Sequence, residues 1–578
     1  MAARRGVALV IFLILLAVMV SAAAMLVVAL VATPSPTVPA NASLTLKIEA
    51  PFSEIEPSDV LRQFLQRAPT LRSTIETIHR AKSDSRVKVL IIKTAVSGAM
   101  WAQLQEVHAA LEDFKTSGKP LIAFLESGSS GEYYVASAAT HVVMMPAGQL
   151  DVAGLASYEL FFRGALDKIG VYPDLLHIGE YKTAANTFTE KGFTAAHREM
   201  TRALNRDWYD ELVRSVARDR KITEDQARAA LGGGPYLGDA AVKTGLVDEL
   251  AYEDQLDDKA PIQGTQAIEN EQYARTAPPA RLPQPGGRIA LLYAVGTIAS
   301  GKSSLDSPTG LVLGSQTFVE WVRKVRIDPS IRAVVVRVDS PGGSAIASEV
   351  IWRELMLTRE VKPLVISMGD VAASGGYYIA APADVIVAQP GTLTGSIGVV
   401  TGKFVVRGAL DKLGVGTGSV GDGESAEIYS PFRPFTPAER SRVEEQMQAT
   451  YELFLRRVAE GRHQTPEKID AVGQGRVWTG HQARELGLVD ELGGLEDALR
   501  IAQVRAKLDP AGAVDLVVYP AKRSFYDILS SQFGSQSSTG LTMLGRRSDM
   551  RAVQSALSLF QLFRRGEPLA ILPNVFMN

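Results

Sequence analysis

The sequence repeats itself. RGALDKIGV at 163–171 returns as RGALDKLGV at 407–415, 244 residues later. SGEYYVA at 130–136 answers SGGYYIA at 374–380 at that same offset, and YLGDAAVKTGLVDEL at 236–250 answers WTGHQARELGLVDEL at 478–492 at an offset of 242. Three blocks at nearly one spacing mark a tandem duplication, so the body is two like units and not one large domain.

Each copy alternates apolar strands with amphipathic helices. In the second, strands are expected at 288–295, 331–339 and 363–368, and helices at 315–326 and 344–359. In the first, 87–93 and 120–125 read as strands around a helix at 101–116. Short Val/Ile-rich runs between helices indicate α/β units whose sheets are covered on both faces. Long charged helices are expected near 194–219 and 436–462. The organisation expected is an N-terminal repeat at 44–270, a Pro/Gly-rich linker at 271–287, a C-terminal repeat at 288–510 and an extension at 511–578. Within that extension, 551–566 has the pattern of an amphipathic docking helix.

Ahead of the repeats, Arg4 and Arg5 precede an uncharged run from Gly6 to Ala32. As a helix this run would exceed the ~30 Å hydrocarbon core of a bilayer. The arginines favour a cytoplasmic N-terminus (1–5), a transmembrane anchor at 6–32 and an extracytoplasmic body. The rival reading is a signal peptide cleaved after residue 42, but the run is longer than the ~7–15 residues of an ordinary signal core. The net charge of −2 gives no sign of nucleic-acid binding, and the absence of cysteine excludes disulfides and a thiol nucleophile.

The chemistry is read where the copies diverge. The second copy carries VDSPGGS at 338–344, and the aligned TAVSGAM at 94–100 has lost the Pro-Gly-Gly. Consecutive glycines after a buried strand let main-chain N–H groups face a ligand, as an oxyanion hole requires. Ser374 lies among small residues in DVAASGGYYIA at 370–380, yet no histidine lies within eighty residues of it. The offset of 242 sets Lys182 of the first copy in the slot held by Glu424 in the second. If the units pack as pseudo-symmetric neighbours, Lys182 can reach Ser374. To act as a base near neutrality it must shed its charge, and a pKa lowered by about three units corresponds to roughly 4 kcal/mol, within the reach of burial.

Together SPGGS, AASGGYYIA, TLTGSIGV (392–399), GEYKTAA and VWTGHQARELGLVDELGG resemble the long, two-repeat signal peptide peptidases, the protease IV family. The resemblance spans about residues 45–510 and the anchor. It implies a tandem Clp-protease/crotonase-like fold, membrane attachment, a bowl-shaped homotetramer and ATP-independent breakdown of signal-peptide remnants at the bacterial inner membrane. By motif match Ser374 takes the nucleophile position, Lys182 the general base, and Ser396 the serine that orients the lysine. The N–H groups of Gly375 and Gly343 match the oxyanion hole, and neither metal nor cofactor is implied. Asp339 stands where asparagine is also common in the family. Ser130 occupies the degenerate nucleophile slot of the first copy, with Glu424 in the base position related to it.

Other classes leave traces. GTIASGKS at 296–303 satisfies a phosphate-loop pattern, but the loop must open into a helix and turn residues follow here. No HExxH occurs, which argues against a zinc protease. His141 and His177 are the histidines in strand or loop contexts near the expected site, and both read as structural. A scaffold with a relic serine, and a crotonase-type acyl-CoA enzyme, complete the alternatives.

Overall fold

A computed structural model describes residues 37–55, 70–259, 261–276, 287–307, 310–510, 512, 514–521, 568–571 and 576–577, with a few helical positions between 14 and 21. Most of the expected anchor, the helix at 551–566 and most of the linker lie outside the described residues. Among the described residues no helix is long and apolar enough to cross a membrane.

Two mostly parallel sheets carry the body. The first has six strands, ordered Glu249–Leu250, His141–Met144, Leu121–Leu125, Val87–Ala95, Ala42–Glu49 and Gln266–Glu269, all parallel. The second runs Val477–Thr479, Leu393–Gly395, Leu364–Ala373, Ile331–Ser340, Arg288–Val295 and Asp515–Tyr519, with two short strands branching from Leu364–Ala373. The α/β reading therefore holds for both copies. The first part of the stretch set apart as an extension, Asp515–Tyr519, is the edge strand of the second sheet, parallel to Arg288–Val295.

Element bounds follow local chemistry. Thr194 caps Ala195–Arg220 through the His197 N–H, and Thr436 caps Pro437–Arg462 in a capping box with Glu439. Both 26-residue helices end on a left-handed residue, Lys221 (φ 55°) and His463 (φ 52°), 242 positions apart. The duplication thus extends to the caps. One strand runs further than expected: Leu364–Ala373 continues to the residue before Ser374. Val371, Ala372 and Ala373 pair with Leu393, Thr394 and Gly395, which carries the ladder onward.

Six elements position the site: strands β1 (Tyr172–Ile178), β2 (Gly342–Ser344) and β3 (Leu364–Ala373), helix α1 (Gly375–Ala380), and strands β4 (Val399–Val405) and β5 (Leu569–Ile571). Two of the junctions between the copies are a strand pair and a buried charge cluster. At the first, β1 pairs antiparallel with β4 over seven residues, from Ile178 opposite Val399 to Tyr172 opposite Val405. At the second, the fully buried Arg337 receives Glu54 (2.7 and 3.0 Å) and Glu106 (2.6 Å) from the first copy. A buried guanidinium requires such partners, because an uncompensated charge there costs several kcal/mol.

The phosphate-loop look-alike is resolved by its surroundings. Thr297–Ala299 is a strand, and the chain continues through strands Ser304–Ser307 and Gly310–Gly314 before a helix begins at Ser315. No helix opens at the end of the motif to hold phosphates.

Candidate active site

Ser374 sits where β3 gives way to α1, with φ 56° and ψ −114°, a backbone conformation that a non-glycine residue adopts only when its surroundings impose it. The constraints are visible. The Ser374 N–H donates to the Gly395 carbonyl (2.7 Å), and the Tyr378 N–H donates to the Ser374 carbonyl (2.8 Å). The two glycines that follow allow α1 to approach β2. A Cβ on Gly376 would stand 2.6 Å from the Ser340 carbonyl oxygen, and one on Gly375 2.8 Å from Ser348 Oγ and 3.1 Å from the Gly343 nitrogen. This spacing sets Gly375 against the Gly342–Gly343 backbone beside the serine.

Lys182 arrives from the other copy. The chain leaves β1 at Ile178, turns at Gly179 (φ 104°), and reaches Lys182 at the start of the short helix Thr183–Ala185. Residues 474–475 of the second copy grip this turn: the Tyr181 N–H donates to the Gln474 carbonyl (2.8 Å), and Gly475 packs on the Lys182 backbone. Lys182 Nζ lies 2.7 Å from Ser374 Oγ, 3.0 Å from Ser396 Oγ and 2.9 Å from the Ser396 carbonyl oxygen. Lysine and both serines are buried, none more than 1% exposed. Burial alone drives the lysine pKa well below its ordinary 10.5. Ser396 is also left-handed (φ 51°), with its N–H donated to the Arg476 carbonyl at 2.7 Å.

The structure thus brings Ser374, Lys182, Ser396, Gly375 and Gly343 together. The degenerate slot of the first copy is built differently. There Ser129 is the N-cap, with extended φ −80° and a capping box to Glu132, and Ser130 is the first helical residue. The left-handed kink of Ser374 is absent from it. Glu424, expected across from Ser130, is an exposed surface residue paired with Arg442 at 2.8 Å. His141 is bound to Glu249 (3.3 Å), and His177 Nδ1 lies 3.0 Å from the Gly179 carbonyl oxygen. Among the described residues, His108, Glu112 and Asp219 are the one group spaced to hold a metal, and His108 Nε2 already lies 2.7 Å from Asp219 Oδ2.

Sequence reasoning missed Gln474, Gly475 and Arg476. The run GQGR at 473–476 carries two glycines in a short stretch, and that was the only local signal. Arg476 stacks on Tyr181 and Trp478 and pairs with Glu199 (2.8 Å), tying the loop that supports Ser396 to the first copy.

Comparison with known proteins gives the family. Residues 113–265 and 356–509 each match peptidase family S49. The chain is 31% identical over 498 residues to the chloroplastic serine protease SPPA of Arabidopsis thaliana, covering 84% of this chain and 73% of that protein. It is 35% identical over 453 residues to Protease 4 of Salmonella typhi, covering 76% and 72%. A putative signal peptide peptidase SppA of Enterococcus faecium matches at 34% over 230 residues, 39% of this chain and 66% of that one. The class is that of the serine proteases. Within it, the chain belongs to peptidase family S49, with one family unit in each copy.

Proposed function

We propose that this protein is a membrane-anchored endopeptidase that uses a Ser374–Lys182 dyad to degrade, without ATP, the apolar peptides left by signal-peptide removal. The observation that carries the reading is the 2.7 Å approach of Lys182 Nζ to Ser374 Oγ in a buried site where desolvation is what shifts the amine. A neutral amine has two N–H donors and one lone pair. The donors match the carbonyl and hydroxyl oxygens of Ser396, and the lone pair is left for the Ser374 O–H.

In the proposed cycle, Lys182 takes the Ser374 proton as Oγ attacks the substrate carbonyl carbon. The N–H groups of Gly375 and Gly343 hold the oxyanion, where each donor is worth about 3–4 kcal/mol. Lys182 returns the proton to the departing amine, leaving an acyl-enzyme. It then deprotonates water, whose attack frees Ser374. A buried apolar cluster of Phe188, Leu166 and the β4 residues Val400 and Phe404 supports a preference for apolar peptides.

The uncharged run at 6–32 supports single-pass anchoring at a bacterial inner membrane, with the N-terminus in the cytoplasm and the body outside it. The absence of a helix after GTIASGKS supports ATP independence. A homotetramer is part of the proposal through the family resemblance alone.

A fluorophosphonate probe tests the dyad. Labelling is expected in wild type and Ser130→Ala, and lost in Ser374→Ala and Lys182→Ala. Undiminished labelling of Lys182→Ala would remove the lysine from the mechanism, and a chain that neither labels nor cuts peptides would be a scaffold.

A further inference from the structure

The strand β5 comes from the far end of the chain and lies in the site. It pairs antiparallel with β2, setting Ser344 opposite Leu569, Gly343 opposite Ala570 and Gly342 opposite Ile571. On its other edge Leu569 pairs with Val400 of β4. Without it, β2 and β4 would face each other across a gap one strand wide in the seven-stranded sheet. Such a slot offers two unpaired edges, and an extended peptide binds by completing both ladders.

The composition of the segment and the buried Leu569 reinforce the fit. Pro568, Leu569, Ala570 and Ile571 are all apolar. Leu569 is 2% exposed, seated in the cluster formed by Val400, Phe404, Phe188 and Leu166. The Ala345 N–H donates to the Pro568 carbonyl at 3.3 Å. By the alternation of an antiparallel ladder, Gly343 and Ala570 are then the next pair to exchange hydrogen bonds. That directs the Ala570 carbonyl at the Gly343 amide, beside Gly375 and Ser374. Beyond the site, Phe576–Met577 pairs with Ser157–Tyr158 of the first copy, so the chain is held again downstream of the segment.

We infer that Pro568–Ile571 is a tethered pseudosubstrate, filling the strand slot between β2 and β4 that a peptide substrate must enter. The inference rests on the peptidase reading for what competes with the segment, but its occupancy can be measured without turnover. Described structure before the segment ends at Ala521, 47 residues before Pro568. Covalent attachment to the same chain supplies an effective concentration of about millimolar. If the free segment binds with a Kd of about 0.1–1 mM, occupancy raises the apparent Kd of a competing peptide roughly two- to tenfold.

The test uses the full chain carrying Ser374→Ala, so that nothing is cut, with and without Leu569→Asp. An aspartate among Phe188, Val400 and Phe404 would expel the segment. The probe is a fluorescein-labelled peptide GEPLAILPN, copying residues 566–574. The Leu569→Asp chain is expected to bind it two- to tenfold more tightly, and a probe with aspartate in place of its first leucine is expected not to bind. Ala570→Pro, which removes a ladder N–H, gives a second chain with the same expectation. Equal probe affinity in the parent and both variants would overturn the inference. In the active background, Leu569→Asp should lower KM for an unrelated apolar peptide by the same factor with kcat unchanged. Tighter probe binding without turnover in any chain would keep the occupancy and remove the peptidase reading; normal turnover with equal probe binding would do the reverse.

Discussion

Gly475 and Lys182 pack so closely that a Cβ on the glycine would stand 2.5 Å from both the lysine amide nitrogen and the lysine Cβ. Gly475 also has φ +75°, where a side chain is strained in any space. The backbone of the second copy is therefore the surface that sets the height of the lysine in the site. Gly475→Ala should displace the amine by an ångström or so and lower kcat/KM by about a hundredfold. Lys182→Ala should cost at least about a thousandfold. Steady-state kinetics on a fluorogenic apolar peptide, with circular dichroism to confirm folding, decides it. Full activity in Gly475→Ala would mean that the amine position is not critical.

The buried amine also has a thermodynamic signature. Its pKa is lowered by burial, so between the lowered value and the ordinary 10.5 the unfolded chain holds a proton that the folded chain lacks. Stability then rises with pH through that window, by about 1.4 kcal/mol per pH unit for one proton. Lys182→Met lacks this term. The stability difference, wild type minus Lys182→Met, should therefore grow as pH is raised from 8.5 to 9.5, read from urea unfolding. Parallel curves would show that the amine keeps its proton on folding. For activity, kcat/KM should rise with pH through the same lowered pKa and then level off.

How the copies are organised was legible in the sequence, and how they touch was largely not. The offset of 242 paired Lys182 with the second copy, and glycines around Ser374 and Gly343 signalled close backbone approach. Those signals are local or periodic. The grip of Gln474 and Gly475 on residues 179–182 is a contact between distant segments with no periodic pattern. Arg337 reads as an interruption in the apolar run IRAVVVRVD, because its partners Glu54 and Glu106 stand more than two hundred residues away. The strand Leu569–Ile571 was hidden for a similar reason. Three apolar residues near a chain end specify no partner until the slot between β2 and β4 exists.

That buried arginine shares its surroundings with more carboxyl groups than it can neutralise. Asp339 is pushed up to about 7, first by burial and then by repulsion from Glu54, although the Val371 N–H and Arg337 oppose this. Asp370 is raised well above its ordinary value by burial and by Asp339. A carboxyl raised on folding stabilises most below its unfolded pKa of 3.8, and that contribution is lost as pH rises towards 7. Asp339→Asn keeps an oxygen to accept the Val371 N–H (3.0 Å) while removing the charge. It should stabilise the protein at pH 8 by roughly 2–4 kcal/mol, and progressively less as pH falls from 7 towards 4. Urea midpoints at pH 5 and pH 8 check it, and a variant less stable than wild type at pH 8 would refute it.

The division of the site between copies makes a prediction about separated halves. The second copy holds Ser374, both glycines and Ser396, and lacks only the amine. Detached, it would also expose the edge of β4 along Val399–Val405 and leave Arg337 without Glu54 and Glu106. Breaking a buried ion pair by removing one side costs about 3–5 kcal/mol, and a bared strand edge invites aggregation. Residues 287–578 expressed alone should therefore be poorly soluble and unlabelled by fluorophosphonate. Co-expression with residues 37–276 should restore both solubility and labelling, because β1 re-pairs with β4 and delivers Lys182. Labelling of the second half alone at the wild-type rate would show that Ser374 is activated from within its own copy, and the shared site would have to be abandoned.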